Sequence, residues 1–222
     1  MASELRTRRR WSLTSSRRAI VLQTALVVVW GAAVGAALLA LVGYSYKSGR
    51  VGEPPSASEA GIEVSAGEYT LVLAMHPKCP CTRATVLELE RLMRSCRDRI
   101  RCVVYVYTPG EESWGGRDPF GIASRIPRVE VRLDPDGVVA SRFGAFTSGS
   151  VVLYNGRGEV EFWGGITAGR GHAGDNLGSD SIRAIVLGNT PPRLTTPVYG
   201  CDLVTPGAEV EGLPQCCEVG NG

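Results

Sequence analysis

The feature that most restricts this chain is a run of 25 residues, Ala19–Gly43, whose only hydrophilic side chains are Gln23 and Thr24. As a helix rising about 1.5 Å per residue, it is long enough to cross a hydrocarbon core of about 30 Å with some tilt. Ahead of it, Arg6, Arg8, Arg9, Arg10, Arg17 and Arg18 stand against Glu4, a local charge of +5. The net charge is +2, so the rest of the chain carries −3. Arginine excess on the N-terminal side predicts that this side stays in the cytoplasm and the remainder is exported. The alternative is a cleaved signal peptide of the twin-arginine kind, since Ser16-Arg17-Arg18 precedes the run. A signal core spans about 7–15 residues, and this run is longer. Gly31 and Gly35 form a Gly-x-x-x-Gly pair that would let two such helices dimerise, although the spacing also arises by chance in a run this rich in Ala and Gly.

The reading divides the chain into a basic cytoplasmic tail (1–18), a transmembrane anchor (19–46), a linker (47–66), a folded domain (67–190) and an irregular Cys-containing tail (191–222). With 222 residues there is room beyond the anchor for one ordinary domain, and 44% apolar content is enough to build its core. A net charge of +2 argues against a nucleic-acid binder, and two histidines exclude a His-rich metal cluster. Seven cysteines, all beyond the anchor, fall in a compartment that permits disulfides. An odd number leaves at least one that cannot pair within the chain.

Thr70–Met75 reads as a buried strand and is followed by His76-Pro77-Lys78-Cys79-Pro80-Cys81. Val86, Leu89, Leu92 and Met93 then recur at helical spacing, with Pro80 suited to the first helical position. Cys102–Tyr107 is a second buried strand, and a short helix is expected around Phe120–Ile126. Val129–Leu133 alternates like a strand and ends in the turn Asp134-Pro135-Asp136-Gly137 before a short helix over Val138–Phe143. Val151–Tyr154 and Glu159–Trp163 flank Asn155-Gly156-Arg157-Gly158, a hairpin signal. Ser179–Leu187 makes the last helix. Strands alternating with helices, closed by a hairpin, predict an α/β layered protein with a mixed sheet.

Cys79 and Cys81 fall where the first strand meets its helix. A thiolate at a helix N-terminus is stabilised by free N–H groups and the macrodipole, which favours Cys79, near the N-cap, as the attacking thiol and Cys81, in the first turn, as the resolving one. Lys78 and Arg83 add positive charge. A Cys79–Cys81 disulfide would close a tighter ring than the two-residue spacing and so be an oxidising one. The alternative is a pair of small core cysteines, or a bridge to another cysteine.

This arrangement resembles the thioredoxin superfamily, in particular the membrane-anchored, exported thiol–disulfide proteins of the TlpA and peroxiredoxin-like branch, over about residues 60–190. Asp134-Pro135-Asp136-Gly137, Ala140, Phe143-Gly144-Ala145 and Val151–Tyr154 follow the stretch that leads into their fourth strand. The strings HPKCPC (76–81) and GGITAGRGHAGDN (164–176) resemble those of the bacterial RedB group. The resemblance implies a thioredoxin-like fold, a single-pass protein of the bacterial inner membrane and a periplasmic domain. It also implies a protein thiol or disulfide partner outside the cytoplasm, and no cofactor beyond a redox-active Cys79–Cys81 disulfide. Two departures stand out. The usual Cys-x-x-Cys is shortened to Cys79-Pro80-Cys81, and Ser148-Gly149 replaces the cis-proline that borders the substrate groove. The groove positions are then Pro80, Thr147, Ser148 and Gly149.

The Gly-rich loop 164–178 holds Thr167, Arg170, His172, Asp175 and Asn176. In a thioredoxin-like fold it passes the active cysteines, where His172 would accept a proton from Cys79 and Arg170 would stabilise a thiolate. Equally, it is a capped connection whose Asp175 and Asn176 satisfy backbone groups. His76 reads as a packing or hydrogen-bonding residue. Cys96 and Cys102 read as buried small residues or a structural bridge, Cys201 as a tail residue that would fold back toward the active end, and Cys216-Cys217 as terminal; their pairing stays open.

The leading expectation is a thiol–disulfide oxidoreductase using Cys79, Cys81, Arg170 and His172. The alternative is a Cu(I)-handling protein with Cys79, Cys81, His76 and His172 as ligands, since soft thiolates suit that cation. A third is a redox-inactive binding module, which the missing cis-proline favours.

Overall fold

The computed structural model describes residues 2–109 and 120–203. The chain divides into two compact units, residues 1–44 and 45–222. The first is the single helix α1 (Ala2–Ser45). Its segment Arg17–Ser45, 29 residues containing an 18-residue stretch of mean hydropathy 2.5, is long and apolar enough to cross a membrane.

The second unit begins with a short helix, α2 (Ala57–Ala60), followed by β1 (Tyr69–Met75), α3 (Thr82–Cys96) and β2 (Ile100–Thr108). After these come α4 (Phe120–Ala123), β3 (Val129–Pro135), α5 (Val138–Arg142), β4 (Ser150–Tyr154), β5 (Val160–Gly165) and α6 (Leu177–Val186). The five strands form one sheet in the order β3-β2-β1-β4-β5. β1, β2 and β3 run parallel, while β4 and β5 are antiparallel to their neighbours. This mixed sheet between helices is the thioredoxin-like fold expected from the sequence.

β1 is buried on both faces because both are covered, so its sequence is a continuous apolar run rather than an alternation. Leu71, Leu73 and Met75 join Leu89, Leu92, Val104, Leu153, Phe162 and Ile182 in the core beneath α3 and α6. Val72 and Ala74 point the other way, toward Ala57, Ala60, Tyr105, Phe143 and Tyr154. Leu89 is fully buried, so Leu89→Ala would cost about 2–5 kcal/mol. The Asp134-Pro135-Asp136-Gly137 turn starts α5, and the buried Asp134 carboxylate accepts the N–H groups of Val139 (2.8 Å) and Ala140 (2.9 Å).

Two segments are more ordered than their composition suggests. Residues 47–66, read from sequence as a linker, lie against the domain. Gly49 N–H donates to the Val198 carbonyl, Thr147 Oγ1 to that of Arg50, and Gly52 N–H to that of Gly144, each at 2.8 Å. Ala57, Ala60 and Ile62 are buried in the core. Residues 191–203 belong to the tail read from sequence as irregular, and 194–196 run beside β5: Trp163 N–H donates to Leu194 and Thr196 N–H to Trp163. This covers an edge that would otherwise offer unpaired backbone groups.

Candidate active site

β1 ends at Met75 and the chain makes two tight turns before α3. Cys79 N–H donates to the His76 carbonyl and Thr82 N–H to that of Cys79, both at 3.1 Å. Regular α-helical bonding starts only with Thr85 N–H to the Cys81 carbonyl (3.2 Å). The N-cap is therefore Cys81, not Cys79, and Pro80 precedes the helix rather than opening it. The two turns consume the residues that the sequence reading placed in the first helical turn. Cys79 consequently lies just outside the helix end, facing the loop that leads into β4.

That loop is Thr147-Ser148-Gly149. Ser148 Oγ accepts the His76 N–H (2.9 Å), which leaves its own O–H free to donate to the Cys79 sulfur. None of the described peptide bonds is cis, as Ser148-Gly149 requires. The chain's own tail lies along this loop. Ser148 N–H donates to the Cys201 carbonyl (2.8 Å), Leu203 N–H to that of Phe146 (2.9 Å), and Thr147 pairs antiparallel with Asp202. The approach is close enough that a Cβ at Gly200 would sit 1.9 Å from the Ser148 carbonyl oxygen. Only glycine fits there.

Three sulfurs meet at this point. Burial pushes the Cys79 thiol up, but four hydrogen bonds outweigh it and hold the thiol below its ordinary value. The donors are the Cys201 side chain and N–H, the Cys81 N–H and the Ser148 hydroxyl. Cys81 is raised by burial, by the negative charge of Cys79 and by donating to it; the Arg170 guanidinium and the Gly171 N–H offset part of this. Cys201 is pushed up to about 12 by burial and by its contact with Cys79. Of the three thiols, Cys79 is the one eased toward the thiolate, while its two neighbours are raised. Lys78 and Arg83, the flanking cations, are both exposed.

The loop 164–178 reaches the cysteines through Arg170 and Gly171. Arg170 is held from the other side: its N–H donates to the Ser45 carbonyl (2.9 Å) and its Nε to that of Lys47 (3.3 Å). His172 is exposed, and its Nδ1 lies 2.9 Å from the Arg170 carbonyl oxygen. Asn176 caps α6 by accepting the Ser179 N–H (2.8 Å), while Asp175 is exposed. The loop is thus at once a capped connection and the carrier of the cation beside Cys81.

Glu88 had no assigned part in the sequence reading, whereas Cys201 was read as a tail residue that would fold back toward the active end, its pairing left open. Glu88 is 3% exposed on α3 and binds the loop directly, accepting the Gly174 N–H (2.7 Å) and the Asn176 amide (3.2 Å). Its signal was a carboxylate four residues after Ala84 and four before Leu92, on the buried stripe of the helix. For Cys201 the direction was expected but not the partner, because no periodicity in the tail shows on which group it lands.

The metal reading with His76 and His172 is not supported. Among the described residues no group of three or more His, Cys, Asp or Glu side chains is arranged to hold an ion. His76 stacks on Tyr107 with centroids 5.3 Å apart, its Nδ1 accepts the Lys78 N–H (3.2 Å), and burial and Lys78 lower its pKa. Cys96 and Cys102 lie in the core beneath α3, both unbridged. Cys216 and Cys217 fall outside the described residues.

No protein-family model and no curated protein matches the chain. Among solved structures it is similar to an uncharacterized conserved protein from Geobacillus kaustophilus, at 17% identity over 74% of this chain and 94% of that one, with a TM-score of 0.53. It is also similar to a hypothetical protein from Sinorhizobium meliloti 1021, at 14% identity over 73% of this chain and 100% of that one, with a TM-score of 0.54. A secreted Mycobacterium tuberculosis disulfide oxidoreductase, described as homologous to E. coli DsbE, matches 55% of this chain and 83% of its own at 16% identity and a TM-score of 0.40. The first two likenesses show a shared fold.

Proposed function

We propose that this protein is a membrane-anchored thiol–disulfide oxidoreductase in which Cys79 is the attacking thiol. The observation that carries the reading is the convergence of four hydrogen-bond donors on a sulfur that is only 5% exposed. Burial alone would keep such a thiol protonated and inert. Here the donors reverse that effect. The Cys79 thiolate attacks a partner disulfide, one partner thiolate leaves, and Cys81 resolves the mixed disulfide. Arg170 stabilises the Cys81 thiolate as it forms, and Ser148 orients the Cys79 sulfur. In this reading Arg17–Ser45 anchors the chain, the arginine-rich end stays in the cytoplasm and the domain faces an oxidising compartment outside it. The strings 76–81 and 164–176, which carry the RedB resemblance, supply Cys79, Cys81 and Arg170 to one site, and this supports that grouping.

The test is to equilibrate the full-length protein in detergent with glutathione redox buffers and map its disulfides after acid quenching and alkylation. The expected result is an intramolecular disulfide at Cys79 that titrates with the buffer and is lost in Cys79→Ser. A Cys79 that stays reduced across all buffers overturns the reading.

A further inference from the structure

Cys201 reaches the site from 122 residues further along the chain, on a segment that pairs with residues 146–148 as an added strand would. Three independent constraints hold it there. Its carbonyl accepts the Ser148 N–H (2.8 Å), Gly200 is packed against the Ser148 carbonyl, and Leu203, 3% exposed, donates its N–H to Phe146. Further back, Val198 is 1% exposed and its carbonyl accepts the Gly49 N–H (2.8 Å). The side chain and the N–H of Cys201 both face the Cys79 sulfur. The same segment explains why Cys79 is nearly inaccessible: the chain's own tail occupies the backbone edge that an extended partner would use.

We infer that Cys201 is a third redox cysteine, which resolves mixed disulfides at Cys79 by forming a Cys79–Cys201 disulfide. This rests on the oxidoreductase reading and extends it. With glutathione disulfide as oxidant, the Cys79 thiolate attacks one sulfur, the glutathione S–S bond breaks and one glutathione thiolate leaves. Cys201, having lost its proton to solvent, then attacks the Cys79 sulfur. The Cys79–glutathione bond breaks, the Cys79–Cys201 bond forms, and the second glutathione thiolate leaves. One protein dithiol is oxidised, and one glutathione disulfide is reduced to two thiols.

Electrostatics favour this order. Burial, together with the hydrogen bond to and the charge of a Cys79 thiolate, keeps the Cys201 proton in place. Once the Cys79 sulfur is in a disulfide that charge is gone, whereas Arg170 remains to favour a Cys201 thiolate. The geometry is also less restricted than within Cys79-Pro80-Cys81, because no short ring is closed.

The test uses the full-length protein in detergent, with Cys216→Ser and Cys217→Ser as background so that the tail carries one thiol. In this background, Cys81→Ser treated with glutathione buffers is expected to yield a cross-link between the tryptic peptide 79–83 and the C-terminal peptide that begins at Leu194. Cys201→Ser is expected to retain more Cys79–glutathione mixed disulfide than its parent. Circular dichroism of both variants checks that the fold is kept. If Cys81→Ser forms no such cross-link while Cys201→Ser still forms Cys79–Cys81, the inference is overturned and the oxidoreductase reading stands. If neither variant forms a disulfide at Cys79, both fall.

Discussion

Cys79 and Cys102 are both buried cysteines at the ends of the same parallel strand pair, yet the structure gives them opposite characters. Cys79 follows β1 at its C-terminal end and is 5% exposed; Cys102 lies near the start of β2 and is 1% exposed. Burial raises both thiols. At Cys102 nothing opposes it, and the thiol is pushed far up. At Cys79 donors from three separate stretches of chain more than cancel it. The difference does not lie in depth. It lies in which polar groups the fold aims at the sulfur, and those cluster where the C-terminal end of the strand, the start of α3, the Ser148 loop and the tail come together.

The contrast can be broken most severely at Gly200. A Cβ there would lie 1.9 Å from the Ser148 carbonyl oxygen, so Gly200→Ala must push the tail away and remove both Cys201 donors from Cys79. The expected outcome is a rise in the pH midpoint for Cys79 alkylation, together with faster tryptic cleavage of the chain after Arg193. Cys102→Ser tests the other side of the comparison. It puts a hydroxyl where there is a fully enclosed sulfur, which costs about 1–3 kcal/mol of stability in denaturant unfolding, while the redox titration of Cys79 stays as it was. The smallest effect is expected from Glu88→Gln. It keeps one acceptor for the loop but loses the second, so Gly174 or Asn176 gives up its partner. The loop carrying Arg170 then loosens, and the Cys81 pH midpoint rises with little change at Cys79.

The sequence made the Cys79 side of this contrast partly visible. The apolar run of β1, the helical spacing of Val86, Leu89, Leu92 and Met93, and the hairpin at Asn155–Gly158 are local patterns, and each appears as an element close to where it was expected. The one-residue spacing of Cys79 and Cys81 and the Ser148-Gly149 substitution are likewise local. What was not legible depends on contacts between distant residues. Burial of Ala57 and Ala60 needs the far face of the sheet. Cys201 was expected to fold back toward the active end, but where it lands needs hydrogen bonds to a loop more than fifty residues earlier, and nothing in Tyr199-Gly200-Cys201 itself encodes that partner. Even the helix start shifted by two residues, because the turns at His76–Cys79 and Cys79–Thr82 compete with helical bonding.

The central claim is that Cys79 is the activated thiol, and it is tested most directly by the pH dependence of iodoacetamide labelling at each cysteine of the reduced, full-length protein. The groups facing Cys79 are the Cys81 and Cys201 thiols and the Ser148 hydroxyl, with Arg170 beside Cys81 and Cys201. Because its pKa is lowered, Cys79 should label first, with a midpoint below that of an ordinary thiol, its rate falling only as pH drops through that lowered value. Cys96 and Cys102, both raised, should react only on unfolding. A Cys79 midpoint at or above that of an ordinary thiol, or labelling no faster than at Cys96 and Cys102, would contradict the account.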